Sequence, residues 1–191
     1  MLHENLIPKK YLQELQECFN NHCEWHFNQN TTYGPSESHL DEGKLGSLGF
    51  TMMFFEQERW VPSIPATLVR PLISYIHEKV EEECGEPVSL FRARADMTVY
   101  NPENHRHEVH TDFKFPHITA IFYLINSDGN TVLMDKDGNV EEEFEPVENR
   151  LITFEGETPH TGHSPSKHKN RILFNVNFVR EDSTRPDNLP Q

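Results

Sequence analysis

His110-Thr111-Asp112-Phe113-Lys114-Phe115-Pro116-His117-Ile118-Thr119-Ala120-Ile121-Phe122-Tyr123-Leu124 is the stretch from which the fold is read. Residues 107–113 and 117–126 each read as a short strand. On an extended strand, His110 and Asp112, two apart, point to the same face. Working outward, the same short strands recur at 88–100, 130–134, 140–146, 150–154 and 171–180. Asp135-Lys136-Asp137-Gly138-Asn139 joins two of them as a hairpin turn. Before residue 88 the pattern is different. Tyr11, Leu12, Leu15, Cys18, Phe19 and His22 recur at helical spacing within 9–27. Leu68, Leu72, Ile76 and Val80 give 66–83 one apolar face, with Pro65 near its start and Gly85 as a stop signal. Residues 50–60 fit a strand or a buried turn, and 28–49 a loop. Helices first and short strands afterwards imply an α+β fold, a double-stranded β-helix (jelly roll, two antiparallel sheets) with supporting N-terminal helices. The expected organisation is one domain over 1–181, with 1–87 mainly helical support and 88–181 the β core, then a loose tail at 182–191.

The 191 residues suffice for one substantial core. The net charge of −14 disfavours electrostatically driven binding of nucleic acid, and its simplest meaning is solubility. No apolar stretch approaches a membrane span. The first residues lack the basic start and apolar run of a signal peptide. Three cysteines (Cys18, Cys23, Cys84) form no C-x-x-C pair and point to reduced thiols in a cytoplasmic setting.

An imidazole and a carboxylate on one face, joined by one distant histidine, make a 2-His-1-carboxylate set that leaves half of an octahedral Fe(II) open. The tripeptide alone is weak, since the chain has twelve histidines and a buried one is more often a core residue. Two downstream histidines, His160 and His163, compete for the third position. Arg171 opens an apolar run in which alternation puts Arg171, Leu173 and Asn175 on one face and Ile172, Phe174, Val176 and Phe178 on the core face. An inward arginine needs an anion, and a dicarboxylate such as 2-oxoglutarate suits its fork. Tyr100 and Tyr123, on strands expected to line the same cavity, are further donors, or core residues with the hydroxyl at the edge.

Residues 100–178 resemble the catalytic core of Fe(II)/2-oxoglutarate-dependent dioxygenases of the prolyl 4-hydroxylase-like branch. His110-Thr111-Asp112 resembles the H-x-D of that family. Residues 118–126 resemble its V-T-x-x-x-Y-L-N strand with one extra residue, residues 150–154 its R-L-x-x-F strand, and Pro159-His160 the P-H of its distal ligand. The resemblance implies that His110, Asp112 and His160 are catalytic metal ligands. It also implies that Arg171, Tyr100 and Tyr123 bind 2-oxoglutarate as co-substrate. O2 is consumed, succinate and CO2 are released, a substrate C–H is hydroxylated, and ascorbate is an optional support. Two departures stand out. Asp128-Gly129-Asn130-Thr131 has one glycine where the family has two, and the segment from His160 to Arg171 is about two residues longer. The resemblance makes a peptidyl proline the first substrate to consider, among peptide, protein and small-molecule substrates, and leaves the oligomeric state unassigned.

Two other readings compete. A cupin-like metalloenzyme would use His105 and His107 with His163. A non-catalytic jelly-roll module would bind a protein or sugar and would carry a broken ligand set.

Overall fold

The computed structural model describes residues 1–28 and 48–180. The expected loop at 28–49 falls mostly, and the tail at 182–191 wholly, outside the described residues. The larger sheet has eight strands, in the order β1 (Leu2–Glu4), β9 (Arg150–Glu155), β6 (Ile118–Tyr123), β11 (Asn170–Arg180), β5 (Val88–Val99), β3 (Gly49–Glu56) and β2 (His26–Asn28), with β4 (Arg59–Trp60) paired on β3. The smaller sheet runs β10 (His160–Gly162), β7 (Thr131–Met134), β8 (Val140–Phe144), and every strand pair in both sheets is antiparallel. Two antiparallel sheets with two helices are the double-stranded β-helix that the sequence implies.

The helices are α1 (Lys9–Asn21) and α2 (Ile64–Cys84). The first ends well before the expected residue 27, because 26–28 turn into an edge strand on β3. The second is capped as its sequence dictates: the Ser63 hydroxyl accepts from the Ala66 N–H (3.1 Å), and Gly85 takes a left-handed φ of 69°. Pro71 interrupts α2, and the Tyr11 hydroxyl enters the gap, donating to the Leu68 carbonyl (2.6 Å) and accepting from the Leu72 N–H (2.8 Å). Leu12, Leu15 and Phe19 of α1 and Val69, Leu72, Ile76 and Val80 of α2 lie buried in one cluster with Ala93, Ala95, Phe122, Phe174, Val176 and Phe178. Both helices therefore cover one face of the larger sheet, and its other face turns towards the smaller sheet.

The part before residue 88 is more than helical support, since β1, β2, β3 and β4 all join the larger sheet. Residues 107–113, expected as a strand, form none. They are tied down by two isolated bridges, Arg106 with His163 and His110 with His160. Residues 160–162 form a short strand paired with β7. The departures before Arg171 have a shared cause. Asp128 accepts from the backbone N–H groups of Ser166 (3.0 Å), Lys167 (2.9 Å) and His168 (3.1 Å), so the residue standing where a glycine is lost organises the longer segment.

Candidate active site

A cleft opens between the sheets, and β5, β11 and the segment around β10 form most of its wall. His110 and His160 sit on facing positions and exchange both backbone hydrogen bonds (3.0 and 2.9 Å). Each imidazole is oriented by the carbonyl two residues upstream: His110 Nδ1 meets Glu108 O (3.1 Å) and His160 Nδ1 meets Thr158 O (3.0 Å). That fixes the tautomer and leaves Nε2 of each ring as the free ligating atom. Asp112 sits in a bend two residues after His110. One ligand atom from each of His110, Asp112 and His160 lies within 4.8 Å of the others.

The Asp112 carboxylate is heavily anchored. It accepts from Arg92 Nη2 (2.7 Å), Asn177 Nδ2 (2.9 Å), Asn175 Nδ2 (3.2 Å) and Thr119 Oγ1 (3.3 Å). Burial alone would raise its pKa, but the neighbouring positive charge, that of Arg92 foremost and Arg94 beside it, outweighs burial and holds the group well below the carboxylate range. Burial pushes His110 down to about 4, with His160 adding to the shift, so this imidazole is neutral at physiological pH as a ligand must be. The set matches Fe(II): two imidazole nitrogens and one ionised oxygen, brought together in one place.

Arg171 lies 6% exposed at the other end. Its Nη2 donates to Thr131 Oγ1 (2.6 Å), Tyr123 Oη donates to the same oxygen (2.7 Å), and its Nε has no partner. No carboxylate of the described residues forms an ion pair with it. Glycine is required at 129, where a Cβ would come 2.4 Å from the His163 carbonyl oxygen; a Cβ on Gly162 would come 2.9 Å from Arg171 Nη1 and push on the guanidinium. Thr98 Oγ1 and His107 Nδ1, also lining the cleft and buried, lack partners as well. A buried guanidinium with unsatisfied donors and acceptors around it is a receptor for a carboxylate, so the chain's own residues fit both groups, a ferrous ion and a dicarboxylate.

Of the residues singled out from sequence, His110, His160 and Arg171 line this cleft, and Asp112 lies beside the two histidines. Tyr123 is fully buried behind it, bonded to Thr131 with Arg171 5.9 Å above its ring, so it supports the anchor and does not line the cavity. Tyr100 is a correction: β5 ends at Val99, the chain leaves the sheet, and Tyr100 is 54% exposed and away from the cleft. His163 is bonded to Asn104 (2.7 Å) and stands apart from the triad. Among the described residues His105 and His107 join no group of metal-ligating atoms, which removes the cupin-like arrangement. What sequence reasoning missed is the inward row of β5, Arg92, Arg94, Asp96 and Thr98. The alternation Arg92-Ala93-Arg94-Ala95-Asp96 carried the signal, with small residues against the helices and charges facing in.

Residues 95–179 match the family model of the 2OG-Fe(II) oxygenase superfamily. That segment is similar to the 2OG-Fe(II) oxygenases, an enzyme class that uses Fe(II), 2-oxoglutarate and O2. No curated protein matches the chain in sequence. Solved structures agree on the fold. A 2OG-Fe(II) oxygenase-family oxidoreductase from Burkholderia pseudomallei aligns with a TM-score of 0.72 at 9% identity, over 96% of this chain and 86% of its own. A Pseudomonas putida prolyl-4-hydroxylase aligns at 0.60 and 16% identity, over 95% and 92%. The epimerase SnoN in complex with Fe3+, alpha ketoglutarate and nogalamycin RO aligns at 0.65 and 15% identity, over 100% and 85%. No helix among the described residues is long and apolar enough to cross a membrane.

Proposed function

We propose that His110, Asp112 and His160 hold Fe(II), that Arg171 with Thr131 grips the far carboxylate of 2-oxoglutarate, and that the enzyme hydroxylates a C–H of its substrate, a peptidyl proline being the first to test. The observation that carries this reading is the convergence of three ligand atoms within 4.8 Å in a cleft that also holds an unpaired, buried Arg171. The bound metal and 2-oxo acid supply the activation of O2 and the oxidative decarboxylation that yields succinate and CO2. The chain's residues supply geometry. Arg92, Asn175, Asn177 and Thr119 keep Asp112 ionised and immobile, and the Glu108 and Thr158 carbonyls aim the two imidazoles. Ile121 and Leu173 line the cleft with apolar surface and help to exclude water.

A second reading, an enzyme of the same class with a non-peptide substrate, is favoured by the likeness to SnoN, whose complex holds nogalamycin RO. The deciding measurement is Fe(II)-dependent succinate formation screened against proline-containing peptides and small molecules, with mass detection of one added oxygen. Asp112→Ala should abolish turnover, and full turnover by that variant with Fe(II) present would overturn the ligand assignment.

A further inference from the structure

Three arginines reach the space between the sheets, and they are employed differently. Arg92 makes two bonds, with Nε donating to Asn177 Oδ1 (3.0 Å) and Nη2 to Asp112 Oδ1 (2.7 Å). Arg171 is spent partly on Thr131. Arg94 makes one bond, from Nε to Asp96 Oδ2 (2.8 Å), and its terminal nitrogens meet no acceptor among the described residues. Both side chains of this pair line the cleft and are largely withdrawn from water, 17% and 13% exposed, and Asp96 Oδ1 is buried without a partner.

Register fixes where Arg94 stands. It faces Asn175 of β11, whose amide donates to Asp112, whereas Arg171 faces Thr98, four residues further along β5. One guanidinium is therefore beside the triad and the other is at the far end of the same cleft. The terminal nitrogens of Arg94 open onto the cleft, where an incoming ligand can reach them. Asp96 has used one oxygen on Nε, so it steers the group and leaves two parallel terminal N–H donors for an incoming ligand. The acceptor that matches them is a planar carboxylate. Two sources exist: the carboxylate next to the keto group of the 2-oxo acid, and a carboxylate on the substrate. Proximity to Asp112 and His110 favours the first, since a 2-oxo acid chelates a metal through that end.

We infer that Arg94, braced by Asp96, is a second carboxylate-binding residue, taking the metal-end carboxylate of the 2-oxo acid as Arg171 takes the distal one. The inference rests on the 2-oxoglutarate reading above. Arg94 is a binding residue in this scheme and Asp96 a positioning residue.

The test is anaerobic calorimetric titration of Mn(II)-loaded protein with two probes, 2-oxoglutarate and 2-oxovalerate, which keeps the keto acid and lacks the distal carboxylate. Arg94→Gln should raise Kd for both probes by about tenfold or more. Arg171→Gln should raise it for 2-oxoglutarate alone. Asp96→Asn should move both affinities in the direction of Arg94→Gln, but less. Arg94→Gln strands Asp96, so the paired variant Arg94→Gln/Asp96→Asn, which removes both charges, should show the same loss in a folded protein. If either Arg94 variant binds Mn(II) and both probes as the parent does, the inference is overturned. Parent protein that binds Mn(II) but neither keto acid would instead sink the 2-oxoglutarate reading, which is a distinguishable result.

Discussion

The two ends of the cleft are finished to different degrees. At the metal end Asp112 accepts from four side chains, and both imidazoles are pinned by backbone carbonyls. At the far end Arg171 Nε, Thr98 Oγ1 and His107 Nδ1 are buried with nothing to bond. The first end is built before any ligand arrives, which favours a fixed metal geometry. The second is built to be completed by a ligand, because its unsatisfied donors regain their hydrogen bonds only when an anion enters.

Breaking the metal end should have the largest effect. Arg92→Met removes the one cation bonded directly to Asp112 and leaves a carboxylate that is almost wholly buried. Stability should fall by about 3 kcal/mol or more, and metal affinity by roughly tenfold to a hundredfold; thermal melts with and without Mn(II) check both. Next comes the far end. Gly162→Ala drives a methyl group towards Arg171 and should weaken 2-oxoglutarate about tenfold while leaving metal stoichiometry intact, read by calorimetry and metal analysis.

A smaller effect sharpens the comparison through pH. Burial, then the charge of Arg171, pushes His107 from 6.5 down to about 3, so the folded state keeps it neutral while the unfolded chain takes up a proton. Its contribution is fully present above pH 6.5 and is lost as pH falls towards 3, on the order of 5 kcal/mol over the whole window. His107→Gln should therefore flatten the fall of Tm between pH 6.5 and 4. The smallest effect is expected outside the cleft: Tyr100→Phe should leave 2-oxoglutarate affinity unchanged, and a clear loss would return Tyr100 to the site.

What the sequence disclosed follows the same physical division. His110 and Asp112 were singled out by their two-residue spacing and Arg171 by its place at the start of an apolar strand, whereas His160 was preferred to His163 only through the family resemblance. Alternation in 171–178 also separated the cleft face from the helix face correctly, with Ile172, Phe174, Val176 and Phe178 all buried in the helix-side core. The strand expected at 107–113 misled, although His110 and Asp112 still converge. The bridge to His160 and the bonds to Asp112 hold them, and these are contacts with distant segments that local spacing does not record. Tyr100 was misplaced because strand parity was carried one residue beyond the end of β5. Leu2–Glu4 was invisible for a related reason: three residues have no periodicity, and their partner, β9, lies some 150 residues away. Arg94 and Asp96 could have been found, since charges alternating with alanines inside a strand must face either water or a site.

One feature of the metal end reaches beyond catalysis. His110 and His160 are directly opposed on a single antiparallel rung, each N–H bonded to the other's carbonyl. The spacing of the two rings is thereby set by main-chain geometry, with Cα atoms about 5.5 Å apart in a pair of this kind. Side chains around the rung and the lengths of the loops between residues 111 and 159 can then drift over generations without moving one imidazole relative to the other. The carboxylate has no such rung, and its place depends on side-chain partners, Arg92, Asn175, Asn177 and Thr119, each of which a single substitution can remove.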